Sequence, residues 1–302
     1  MEQRPLGRNG PLVSVVCLGA WPLGGGMGDI PERQAIATIH AALDAGMTFI
    51  DTAESYRSSE AVIGKALQGR RDRAFVATKL SGSHAPEHLA RAIESSLRAL
   101  HTDHVDLYQL HGPDPSQPIA DTMANLMKLR DQGKIRYIGV SNFSGAQTRE
   151  AIKYGTVHSS QPRYSMMFRD AEREVLPTCL EAGIGVIAHS PLAKGLLTGK
   201  YRPGHQFPEG DERGRISVFD QQKVARAWEA IPNLQRWAEA RGRDLVQLAI
   251  AWTLSHPSMT SSIVGAKTPE QVKHNARAAD WRLSKDDVAE LETLLGGLDL
   301  SP

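Results

Sequence analysis

The chain has 302 residues, with 35 Lys and Arg against 34 Asp and Glu and a formal net charge of +1. That length fits two ordinary domains or one α/β barrel, and 41% hydrophobic with 23% charged residues excludes extensive disorder. The charge balance excludes the basic footprint of a nucleic-acid binder, and the two distant cysteines, Cys17 and Cys179, exclude a disulfide scaffold or a Cys-based zinc site. No apolar run reaches the ~18 residues of a membrane span and the N-terminus lacks a signal-like apolar core, so a cytoplasmic protein is expected.

In chain order, Val13–Leu18 reads as a strand, followed by the glycine-rich loop Leu23–Gly28. Pro31 opens a helix with Ile36, Ile39, His40 and Leu43 at helical spacing, and Gly46 stops it. Thr48–Ile50 is a strand ending in Asp51-Thr52, and Glu60–Leu67 is a helix. Ala74–Thr78 is a strand ending at Lys79. Pro86–Leu100 is an amphipathic helix with Leu89, Ile93, Ser96, Leu97 and Leu100 on one stripe. Val105–Leu110 is a strand ending at His111, followed by the helix Ile119–Leu129. Ile135–Val140 is a strand ending at Ser141-Asn142, followed by a helix over Gln147–Tyr154. Val157–Gln161 is a strand, Glu172–Leu180 a helix, and Gly185–Ala188 a strand ending at His189-Ser190. Arg202–Asp220, rich in Pro, Gly and charge, reads as a surface loop over the rim. Ser262–Val264 is the last core strand, and Asp286–Leu295 a closing helix.

Eight strands separated by helical segments imply crossover connections and a parallel sheet closed into a (β/α)8 TIM barrel, one domain over 1–302. The apolar strands end repeatedly in polar residues: Asp51, Lys79, His111, Asn142, Gln161 and Ser190. In a parallel barrel these positions converge on the C-terminal rim, where such enzymes place their chemistry. A doubly wound fold is the weaker reading, because Gly24-Gly25-Gly26-Met27-Gly28 lacks the third glycine of a dinucleotide fingerprint.

Asp51, Tyr56, Lys79 and His111 make sense together as a proton-transfer device. A lysine cation beside a tyrosine favours the phenolate and lowers its pKa. An aspartate compensates the buried lysine, and a neutral histidine orients a carbonyl oxygen. Tyr56 would then donate a proton to that oxygen as hydride reaches the carbon. A barrel hydrolase using Asp51 and Glu54 is another reading of the same rim, but it gives Lys79 and Tyr56 no work.

This spacing resembles the catalytic tetrad of the aldo-keto reductases, in particular the bacterial general-stress-type and potassium-channel β-subunit-like branch. Ile-Gly-Val-Ser-Asn-Phe (138–143), Gln161, Ser-Pro-Leu-Ala-Lys-Gly-Leu-Leu-Thr-Gly-Lys-Tyr (190–201) and Ile-Val-Gly-Ala-Lys-Thr-Pro-Glu-Gln-Val-Lys-His-Asn (263–275) follow in the family's order. The resemblance implies a short N-terminal β-hairpin, extra helices, and NADP(H)-dependent reduction of a small-molecule aldehyde or ketone. It implies that Ser141, Asn142 and Gln161 hold the nicotinamide carboxamide, with His189 standing where relatives carry Tyr, Trp or Phe. Ser190, Leu192, Lys194 and Gly195 would wrap the pyrophosphate, and Lys267, Thr268, Gln271 and Asn275 would surround the adenosine end. Thr268-Pro269 opens a helix whose N-terminus attracts phosphate, so with Lys267 NADP is expected over NAD. His274 replaces the usual Glu, and Arg57-Ser58-Ser59-Glu60 is shorter than the usual loop. Trp21 either lines the substrate pocket or packs. Arg213 and Arg215 read first as a charged surface loop and second as a phosphate clamp. No metal site is expected from the histidine spacing. The alternative in this family is a cofactor-binding regulatory subunit with weak catalysis.

Overall fold

A computed structural model describes residues 1–208 and 211–301; positions 209 and 210, within the expected loop 202–220, lie outside it. An antiparallel hairpin, β1 (Gln3–Pro5) and β2 (Leu12–Ser14), precedes the barrel strands β3 (Val16–Gly19), β4 (Phe49–Asp51), β5 (Phe75–Leu80), β6 (Val105–Leu110), β7 (Ile135–Ser141), β8 (Ser159–Gln161), β9 (Gly185–His189) and β10 (Met259–Gly265). Among the described residues these eight strands pair in parallel and close, β10 bonding both β9 and β3. The helices are α1 (Glu32–Asp44), α2 (Ser59–Ala66), α3 (Pro86–Leu100), α4 (Ile119–Asp131), α5 (Gly145–Tyr154), α6 (Val175–Ala182), α7 (Gln221–Glu239), α8 (Leu245–Ser255), α9 (Pro269–Ala276) and α10 (Lys285–Leu295).

The expected strand Val13–Leu18 is in fact two. Val13 pairs across the hairpin with Arg4, while Val16 pairs with Ser262 in the barrel. Val15 sits between them, its N–H bonded to the Glu2 carbonyl. A continuous apolar run cannot reveal such a corner, because both halves are buried. The hairpin floors the barrel. Arg8 N–H donates to Gly183 O (2.7 Å), and Ser261 Oγ donates to Ser14 O (2.8 Å). Leu6 and Val13 join Cys17, Phe49, Ala77, Leu107, Ile187 and Ile263 in a buried apolar layer.

The outer ring follows the sequence periodicity. On α3, Leu89, Ala92, Ile93, Ser96, Leu97 and Leu100 are buried, the i, i+3, i+4, i+7 stripe of a helix lying on a sheet. On α5 a capping box moves the start back to Gly145. Ser144 Oγ accepts from Gln147 N–H (3.1 Å) and Gln147 Oε1 accepts from Ser144 N–H (2.9 Å). The long segment between β9 and β10 carries α7 and α8, and α8 is buried on nearly every face, so its uniform apolarity gives no helical period to read. No helix among the described residues is long and apolar enough to cross a membrane.

Leu6 is fully enclosed at the barrel floor. Leu6→Ala is expected to lower unfolding free energy by about 2–5 kcal/mol. Urea unfolding read by far-UV circular dichroism checks this, and a loss within experimental error would show that the hairpin does not floor the barrel.

Candidate active site

Side chains alternate across a strand, so residues two apart face the same way. Four apolar residues of the buried apolar layer are therefore followed, one step nearer the C-terminal rim, by residues of a polar second layer. Phe49 leads to Asp51, Ala77 to Lys79, Leu107 to Gln109 and Ile187 to His189; beside them Ser159 leads to Gln161. The register sets these neighbours side by side, with Lys79 paired to Gln109, Gln109 to Gly139, and Ser141 to Gln161. Gly139 is required where it stands: a Cβ there would lie 2.3 Å from Ser159 Oγ and 2.9 Å from Gln109 Cγ. This second layer is polar, and Asp51, Lys79, Gln109 and Gln161 in it satisfy one another.

Lys79 has no exposed side-chain surface. Its ammonium donates to Asp51 Oδ1 at 2.5 Å and to Thr52 O at 2.8 Å. The other Asp51 oxygen accepts from Gln109 Nε2 (3.1 Å) and Gln161 Nε2 (2.9 Å), and Gln161 Nε2 also reaches Gln109 Oε1 (3.0 Å). Burial pulls the Lys79 ammonium down, but Asp51 and Tyr56 together carry its pKa above the ordinary value, so the cation is kept. Tyr56 lies above this pair, its ring centroid 5.0 Å from Lys79 Nζ. Burial pushes the phenol up, Lys79 pulls it down and Asp51 pushes it up again, leaving it above its ordinary value. This corrects the expectation of a lowered tyrosine. Asp51 neutralises much of the Lys79 field, so desolvation wins in the free chain.

Tyr56 Oη stands 3.5 Å from His111 Nε2, with the two rings edge to face. Burial and Lys79 hold the His111 imidazole down at about 4, so it is neutral near pH 7. Asn142 Nδ2 donates to the His111 carbonyl (2.9 Å), and His189 Nε2 lies 3.1 Å from Asn142 Oδ1. Asn142 has φ of +58°, a left-handed backbone that asparagine tolerates. Gly24 admits the Tyr56 turn, since a Cβ there would fall 2.0 Å from Tyr56 O.

Beside these groups runs a cavity of about 820 Å³, extending over the barrel mouth to the start of α9. Every expected site residue lines it except two. Lys79 is sealed behind Asp51, and Thr268 is the N-cap of α9, accepting from Gln271 N–H at 3.3 Å. Trp21 lines the cavity, and Lys194 Nζ lies 4.7 Å from its ring centroid across the mouth. Ser190, Ala193, Lys194 and Gly195 all have positive φ. Within this tight turn Ala193 N–H donates to Ser190 O and Gly195 N–H to Leu192 O, both at 2.9 Å. At the far end Lys267 Nζ donates to Met27 O, and Gln271 Oε1 accepts from Lys267 N–H (2.7 Å). Burial and neighbouring Arg213 lower the Lys267 ammonium, and Asp211 raises it in part.

Two cavity or near-cavity groups, Gln109 and Asp244, had no sequence signal, and two more, Arg213 and His274, were named in the sequence without a settled place. Gln109 reads as one polar residue inside an apolar strand. Arg213, bonded to Asp211 Oδ2 (2.6 Å) and Tyr201 Oη (2.5 Å), belongs to the cavity wall rather than to a plain surface loop. Asp244 and His274, bonded to each other, also line it.

Geometry and ancestry agree. The aldo/keto reductase family model matches residues 15–295. Aldo-keto reductase YhdN of Bacillus subtilis (strain 168) is 36% identical over 98% of this chain and 94% of its own length. The NADH-specific methylglyoxal reductase of Escherichia coli (strain K12) is 32% identical over 99% of this chain and its full length. The solved structure of the glycerol dehydrogenase AKR11B4 from Gluconobacter oxydans superposes with a TM-score of 0.88 at 32% identity, covering 97% of this chain and 94% of that one. The chain belongs to the aldo/keto reductase family, whose members are oxidoreductases using nicotinamide cofactors.

Two expectations follow. Gln109→Leu removes a donor from a buried carboxylate and should lower stability by about 1–3 kcal/mol, read as the urea midpoint at pH 7; an unchanged midpoint contradicts the network. Between the ordinary imidazole value near 6.5 and about 4, an unfolded His111 binds a proton that the folded one refuses. Stability is therefore present above 6.5 and lost as pH falls toward 4. The urea midpoint should drop over this window less steeply in His111→Gln than in the parent chain; parallel slopes contradict a buried neutral His111.

Proposed function

We propose that this chain reduces aldehydes or ketones to alcohols, reversibly, with NADP(H) as hydride carrier and Tyr56 as the proton donor. The supporting observation is the convergence of Tyr56 and His111 at the cavity end, backed by the sealed Lys79–Asp51 pair.

The residues fit a nicotinamide dinucleotide. The cavity runs from Tyr56 and His111 to the start of α9, Ser190, Leu192, Lys194 and Gly195 line it for the pyrophosphate, and Ser141, Asn142 and Gln161 offer the donors and acceptors a carboxamide needs. When bound, the cofactor supplies or accepts hydride at the carbonyl carbon. The carbonyl oxygen then lies between Tyr56 Oη and His111 Nε2. Tyr56, kept protonated by burial, gives its proton to that oxygen as negative charge develops there. The Lys79 ammonium steadies the resulting phenolate through space, and Asp51 holds that ammonium in register. His111, neutral, orients the oxygen by hydrogen bonding. The rate comes from this preorganised field rather than from a covalent intermediate. In the alcohol-oxidising direction the same groups run in reverse.

Lys267 and Arg213 support a 2′-phosphate and hence NADP(H). One relative is named for NADH specificity, so both cofactors belong in the test.

Tyr56→Phe should bind NADPH as the parent does, by fluorescence titration, while aldehyde turnover falls about 10²–10⁴-fold; undiminished turnover overturns the role. Lys267→Ala should weaken NADPH binding by about tenfold, or ~1.4 kcal/mol, and leave NADH binding unchanged. Tighter binding of NADH than NADPH by the parent chain overturns the cofactor assignment.

A further inference from the structure

His189 ends β9 and Asn142 follows the end of β7, with the short strand β8 between them. The chain leaves both strands through the left-handed region, at Asn142 (φ +58°) and at Ser190 (φ +60°). The His189 imidazole spans the gap. Its Nε2 lies 3.1 Å from Asn142 Oδ1 and its Nδ1 lies 2.9 Å from Ser190 Oγ. The His189 backbone is held on the β8 side, its N–H donating to Pro162 O (3.0 Å) and its carbonyl accepting from Tyr164 N–H (3.2 Å).

Proton counting gives each of these bonds a direction. A backbone carbonyl only accepts, so it is the Asn142 amide nitrogen that meets the His111 carbonyl, donating at 2.9 Å; its other proton goes to Ser141 Oγ at 3.1 Å. Oδ1 is left to face His189, and as an acceptor it requires a proton on Nε2. A neutral imidazole has no second proton, so Nδ1 is bare and accepts from the Ser190 hydroxyl. Desolvation and the cations Lys194, Lys79 and Arg163 hold the His189 imidazole well below its ordinary value, so the neutral form is the one present near pH 7. One ring thereby links Ser190, Asn142 and the His111 carbonyl, tying together the ends of β9, β7 and β6. A phenylalanine ring at 189 has neither the donor nor the acceptor to do this.

We propose that His189 is a positioning residue that works through the edge of its ring, fixing the Asn142 amide for the carboxamide of a nicotinamide cofactor. The proposal rests on the cofactor reading above, in which Asn142 meets that carboxamide. With both amide protons engaged inside the protein, Asn142 has the second lone pair of Oδ1 to offer a carboxamide N–H. A half-turn of the amide would put its nitrogen there instead and set donor against donor. The bond from His189 raises the cost of that half-turn.

Two measurements test the clamp. The first needs no cofactor. A 1H–15N correlation from His189 Nε2–H, assigned by its loss in His189→Phe, should be visible in the parent chain, because the bond slows exchange with water, and absent in Asn142→Ala. Its absence in the parent, or its persistence in Asn142→Ala, overturns the clamp. The second separates the edge of the ring from its face. His189→Phe keeps a flat aromatic face and loses the bond, whereas His189→Gln gives up the ring and keeps an amide N–H to reach Asn142. By fluorescence titration His189→Phe should weaken NADPH binding about tenfold, His189→Gln should restore most of it, and adenosine 2′,5′-bisphosphate, which has no nicotinamide, should bind all three chains alike as a probe followed by calorimetry. Parent-like NADPH binding in His189→Phe, a loss in His189→Gln as large as in His189→Phe, or an equal loss for the bisphosphate overturns the clamp. A parent chain that binds neither NADPH nor NADH refutes the cofactor reading instead, and the correlation spectrum still decides whether the bond exists.

Discussion

A lysine ammonium with no exposed surface can stay charged inside a barrel only if a carboxylate meets it, and Asp51 does so at 2.5 Å from Lys79. Separating the two would leave an uncompensated buried charge, at a cost of about 3–5 kcal/mol. The pair therefore imposes its geometry on its surroundings. Asp51 must lie at the end of β4 and Lys79 one strand over on β5, and the second Asp51 oxygen must find donors. Gln109 and Gln161 supply them from β6 and β8, across space that a side chain at position 139 would fill.

That polar layer separates two regions with different tasks. Beneath it lies the apolar floor shared by the hairpin and the strands. Above it Tyr56 and His111 stand where burial raises one group and lowers the other. Both shifts leave the groups neutral near pH 7, so the free site is poised with a proton on the phenol and none to spare on the imidazole. In the proposed reaction the Lys79 field would act when charge appears on the tyrosine, tipping the balance between desolvation and attraction toward the phenolate, which is the differential stabilisation catalysis requires.

Much of this was legible in the residues. Polar groups closing apolar strands located Asp51, Lys79, His111 and Asn142 at one rim, because strand order and barrel closure follow from crossover length alone. The amphipathic stripe of α3 and the turn residues around it placed the outer ring. The corner at Val15 was not legible, since its two sides are equally apolar. Nor were α7 and α8, the first carrying an internal proline and the second lacking a polar face. Gln109 stayed hidden for a different reason. Its importance lies in the carboxylate that pairing register and barrel closure bring within 3.1 Å, and no local pattern carries that information. The sign of the Tyr56 shift was misjudged because a sequence displays the lysine but not the depth of burial.

The most direct test of the buried pair's role is single-turnover stopped-flow of NADPH oxidation in the double variant Asp51→Asn with Lys79→Met, which leaves no unpaired charge in the barrel. The prediction is that cofactor still binds and that the hydride-transfer step slows by about 10²-fold or more. Hydride transfer at the parent rate would show that the sealed ammonium does nothing for the chemistry above it.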